Sequence, residues 1–87
     1  MVSKDEVKDK IIKIIAKVFN KDESEINMDL SFDDLGVRYG LTESDEFNKT
    51  IMECESEFEV GRVPLESIEG FGKVGDLLEW FFQKHSK

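Results

Sequence analysis

Apolar residues recur with a helical period in three stretches of this chain. In VKDKIIKIIAKVF, Val7, Ile11, Ile14, Ile15 and Val18 share one face while Lys8, Lys10, Lys13 and Lys17 occupy others. That spacing predicts an amphipathic helix from Lys4 to Phe19. Ser3 followed by Glu6 makes a capping box at its start. Lys17 and Lys21 stand near its end, where the helix dipole favours cations. In the second stretch Phe47, Ile51, Cys54 and Phe58 recur at i, i+4, i+7 and i+11, with Asp45, Glu53, Glu55 and Glu57 opposite. A helix is expected from about Thr42, where Thr42 and Asp45 fit the capping pattern, to Gly61. The third stretch, KVGDLLEWFFQKH, predicts a last helix that buries Val74, Leu77, Leu78 and Phe81, leaves Trp80 or Phe82 partly exposed and ends in a basic tail.

Between the first two helices NKDESEINMDLSFDDLGVRYGL keeps no period, yet Ile26, Met28, Leu30, Phe32 and Leu35 are spread along it singly. A long loop with regular apolar pegs is one that lies across a core. VPLESIEGF reads as a turn and a short helix from Leu65 to Glu69, started by Pro64 and stopped by Gly70 and Gly72. The pattern therefore predicts an all-α fold of one domain, residues 1–87. It is a four-helix bundle of three main helices and a short third one, with a long loop after the first.

Composition narrows the function. At 87 residues the chain buries roughly 60–65% of the surface its unfolded form exposes, so the core has little to spare. The net charge of -8 opposes nucleic acid, whose binding depends on Lys and Arg neutralising phosphates. It favours partners with basic patches. No twenty-residue apolar run or secretory signal is present, so a cytoplasmic monomer that does not enter membranes is expected. The one cysteine, Cys54, lies on the apolar stripe and reads as a small core residue. The run DESEINMDLSFD lacks the glycine and closing glutamate of a calcium loop, so no metal is expected. The one histidine, His85, has no nucleophile arranged around it and reads as an ordinary surface residue, so the chain is not an enzyme.

Four segments taken in order resemble acyl carrier proteins: the opening helix, LSFDDLG at Leu30 to Gly36, IMECESEFEV, and VPLESIEGFGKVGDLLEWF. The resemblance covers nearly the whole chain. It implies a carrier that holds acyl groups as thioesters on a 4'-phosphopantetheine arm, in fatty acid, polyketide or specialised lipid synthesis. The family attaches that arm to the serine of a D-S-L motif at the start of the second helix. Counting back from Glu55-Ser56-Glu57-Phe58, the serine falls on Ser44. Glu43 then stands in place of the aspartate and Asp45 in place of the leucine, and VRYGL adds about five residues before the helix.

Ser44 is thus either the attachment point or a small polar residue in a first turn, where serine is common. Ser3, Ser31, Ser56, Ser67 and Ser86 compete poorly by position. The resemblance implies a phosphopantetheinyl transferase and acyl-transfer or synthase enzymes as partners, met through Glu43, Asp45, Glu46, Lys49 and Glu53. It also implies an acyl chain sheltered along Phe47, Ile51, Phe71 and Leu77; two bulky phenylalanines there favour short or polar cargo. The alternative is an unmodified module of the same shape that binds a basic partner through its acidic second helix.

Overall fold

The computed structural model describes residues 3–37 and 44–85. It is all-α: α1 (Lys4–Phe19), α2 (Asp45–Phe58), α3 (Leu65–Ile68) and α4 (Val74–His85), with a single 3-10 turn at Glu23–Glu25 in the long loop. Helix α1 has the predicted bounds. Ser3 caps it by accepting the Glu6 N–H at 3.2 Å. Asn20 closes it in the left-handed conformation, φ 56°, with its N–H donated to the Ala16 carbonyl. Val7, Ile11, Ile15 and Ala16 are buried, whereas Ile14 and Val18 sit at the edge of the stripe and are half-buried.

The core is where α1 packs on both α2 and α4. Phe58 meets Phe81 with ring centroids 5.6 Å apart, and Phe32 from the loop meets Phe47 edge-on at 4.9 Å. Trp80 and Phe82 both remain half-buried. Thr50 is the one fully buried polar side chain in the described core, and its hydroxyl donates to the Glu46 carbonyl at 2.9 Å. That local bond removes the cost of an unpaired buried hydroxyl.

Two boundaries differ from expectation. Helix α2 begins at Asp45 rather than near Thr42, with Ser44 as its cap; Thr42 itself lies outside the described residues. It ends at Phe58, before Gly61, because Glu59 takes the left-handed conformation, φ 53°. Gly61 has a positive φ as well, 79°, so the chain turns twice in three residues. Helix α3 is a single turn.

The long loop is fastened as well as draped. Ile26, Phe32 and Val37 are buried, with Met28, Leu30 and Leu35 packed against the core. Ser31 bridges Lys73, and Phe32 N–H donates to the Gly72 carbonyl at 3.1 Å. In return the carbonyls of Leu30 and Met28 accept the N–H groups of Val74 and Gly75, each at 2.9 Å. Those are first-turn donors of α4 that no helical carbonyl can reach. A β-carbon on Gly75 would stand 3.0 Å from the Met28 carbonyl oxygen, so glycine is what permits the approach. Asp76 completes this helix start by accepting the N–H groups of Gly72 and Lys73 at 2.9 and 3.0 Å.

Candidate functional site at the start of helix α2

Ser44 is the N-cap of α2. Its backbone is extended, φ -90° and ψ 121°, and its Oγ accepts the Phe47 N–H at 3.2 Å while its carbonyl accepts Asn48 N–H at 2.9 Å. Serine suits this position because its short side chain satisfies one of the four donors the helix leaves unpaired. The side chain is half-buried. The cap uses an oxygen lone pair and leaves the hydroxyl proton to other partners. A group esterified to Oγ would replace that proton and sit at the positive end of the helix, where phosphate is favoured.

Asp45, Glu46 and Lys49 are exposed along the first turns of α2. Glu53 does not join them as a free acid. One of its oxygens meets Lys17 Nζ of α1 at 2.5 Å, and the other is buried without a hydrogen-bond partner among the described residues. Glu43 lies outside the described residues.

The four residues expected to line an acyl chain are all buried. Phe47 and Leu77 have no exposed surface; Ile51 and Phe71 are within a few per cent of it. Ile51 also borders a groove of about 580 Å³ between α2 and α3, and Phe71 borders a second, of about 340 Å³, between α3 and α4. The first groove is flanked by Met52 and Leu65, the exposed large apolar side chains of the described surface, 66% and 63% accessible. Sequence reasoning passed over both. The signal was present in part, since Met52 falls off the Phe47–Ile51–Cys54–Phe58 stripe and an off-stripe apolar residue on a helix faces solvent.

Cys54 is fully buried, as its place on the stripe predicts. Burial pushes its thiol up to about 12, with Glu53, Glu55 and Glu57 adding to the effect. His85 departs from the reading of an ordinary surface residue. It lies in the last turn of α4, half-buried, with Nδ1 2.9 Å from the Phe58 carbonyl and its ring 5.5 Å from the Phe58 ring. Since a carbonyl only accepts, Nδ1 carries a proton in this contact. Among the described residues no group of His, Cys, Asp and Glu is arranged to hold a metal. No described helix is long and apolar enough to cross a membrane.

Fold and site together define an acidic helical bundle whose second helix is capped by a partly accessible serine with exposed acids beside it. No protein-family model matches the chain. Three curated relatives from Clostridium perfringens, strains SM101, ATCC 13124 and 13, each named acyl carrier protein, are 38% identical to it over 80 residues. The match spans 91% of this chain and 97% of each relative. The chain belongs to the acyl carrier protein family, whose members are carriers and not enzymes.

Proposed function

We propose that this protein carries acyl groups as thioesters on a 4'-phosphopantetheine arm joined to Ser44 Oγ by a phosphodiester. One observation carries the reading: in a chain of this family, Ser44, the serine that the resemblance puts in the place of the D-S-L serine, caps α2 with a half-exposed side chain beside exposed Asp45 and Glu46. The arm supplies a flexible thiol that the chain lacks, since its own Cys54 is buried and held protonated. Ser44 contributes the hydroxyl, and the first-turn N–H groups of α2 offset the added phosphate charge. Asp45, Glu46 and Lys49, with Glu43 and Glu53, form the surface met by the transferase and by basic acyl-transfer or synthase enzymes in the cytoplasm. Glu53 is the least available of these, because Lys17 already holds it.

The acyl chain is sheltered beside Ile51, with Phe47, Phe71 and Leu77 as the core side chains that would yield to it. Each buried methylene favours shelter by about 0.8 kcal/mol. Co-expression with a broad-specificity phosphopantetheinyl transferase followed by intact mass tests the assignment. A mass gain of one phosphopantetheine that vanishes in Ser44→Ala is expected. An unchanged mass in the wild type would sink it and leave a docking module of carrier shape.

A further inference from the structure

The groove between α2 and α3 has an apolar wall, with one cation, Arg62, and one carboxylate, Glu55, at its edge. Ile51, Met52, Val63, Pro64, Leu65 and Ile68 supply the apolar surface. Of the charged side chains among the described residues, two border the groove: Arg62 and Glu55. They are not equivalent. One Glu55 oxygen is committed to the Val63 N–H at 2.7 Å, a bond that fixes the turn leading into α3. Arg62 is exposed, and among the described residues it makes no ion pair, although the chain holds 20 acids against 12 bases. The groove begins at Asn48, one turn beyond Ser44, and extends to Glu55, roughly 16 Å along the helix axis from the cap. Its volume, about 580 Å³, falls within the range of small-molecule sites.

A chain lying in this groove gains by burying methylenes, and a chain ending in an ordinary methyl gains nothing from Arg62. A chain ending in a carboxylate would lose by entering an apolar site unless a cation met its end. The guanidinium fork suits that task, because it binds a carboxylate through two parallel hydrogen bonds. We propose that the α2–α3 groove selects acyl groups ending in a carboxylate, and that Arg62 is the residue that recognises that terminus. The assignment rests on the arm at Ser44 for delivery of the cargo, but the recognition by Arg62 does not.

Two measurements separate these layers. In the first, unmodified protein is titrated with octanoate and with 1-octanol while amide resonances of Met52, Val63, Leu65 and Ile68 are followed. Octanoate should bind about 1.4- to fivefold more tightly than the alcohol, the range of an exposed ion pair. Arg62→Gln should erase that advantage while leaving 1-octanol unaffected. Equal affinity for the two, or an advantage that survives in Arg62→Gln, overturns the proposal. In the second, the protein is loaded by the transferase with an octanoyl or an octanedioyl group, and intact mass reports the loading. Failure to load counts against Ser44 as the attachment point and leaves the titration to judge Arg62. Once loaded, the octanedioyl form should shift the Arg62 side-chain Nε–Hε resonance and the octanoyl form should not. Identical spectra at Arg62 for both forms would overturn carboxylate selection and leave the groove to a partner protein.

Discussion

The two ends of α2 differ in what they show to solvent: the last turn packs Phe58 against α4, whereas the first turn buries Phe47 but keeps a half-exposed serine and two exposed acids. At the C-terminal end, Phe58 packs on Phe81, its carbonyl is bound by His85, and Glu55 holds the following turn through Val63 N–H. Cys54 lies one turn earlier with no exposed surface. At the N-terminal end, Phe47 is buried against Phe32, but Ser44 is half-buried and Asp45 and Glu46 face solvent. One helix thus joins an anchored end to an accessible one. Tertiary packing supplies the stability of such a helix far more than propensity does. Chemistry can therefore be placed at the accessible end while the buried residues of the same helix hold it in the core.

The contrast breaks most visibly at the anchored end. Phe58→Ala removes a ring that touches both Phe81 and His85 and should cost about 3–5 kcal/mol, read as a drop in the urea midpoint. In a domain this small that approaches the whole of its stability. A loss under about 1 kcal/mol would show that the end is not anchored as described.

Cys54 sharpens the same point through pH. With the native thiol raised from 9.0 to about 12, its thiolate fraction at pH 8 is about a thousandfold below that of the unfolded chain. A chromogenic disulfide reagent should therefore label the native protein at least that much more slowly than the urea-unfolded one. The linked stability has a definite sign. Between about pH 9 and 12 the unfolded state gives up the proton while the native state keeps it. Stability should fall as pH rises through that window, and less steeply in Cys54→Ala.

The smallest effect belongs to the accessible end. Ser44→Ala removes the cap to Phe47 N–H and should cost about 1 kcal/mol, leaving the bundle folded. Ser44→Asp restores an oxygen at the cap and should recover most of that loss without giving any site for the arm. The pair separates the serine's structural duty from its chemical one: equal stability of Ala and Asp variants would mean that the cap contributes little.

Much of the fold was legible because it depends on local chemistry. The stripes of α1, α2 and α4, the cap at Ser3 and the pegs of the long loop are written in residue spacing, and apart from Ile14 and Val18, which sit at the edge of the α1 stripe, each is found where the spacing puts it. The position of Ser44 near the start of a helix was legible too, through the resemblance of the segments around it. Its office as the cap was not, since Thr42 has an acid, Asp45, three residues on and fits the capping pattern, whereas Ser44 is followed at that place by Phe47.

The sequence alone established an acidic, all-helical domain with a serine at the head of its second helix, because amphipathic period and capping chemistry act over a few residues. Tertiary structure decided what distant residues do to one another. It turned Glu53 toward Lys17, brought His85 onto the Phe58 carbonyl, and set Arg62 beside Met52 and Leu65 at one groove. No spacing along the chain encodes those meetings, since contacts across 27 or 36 residues exist only once the helices have packed.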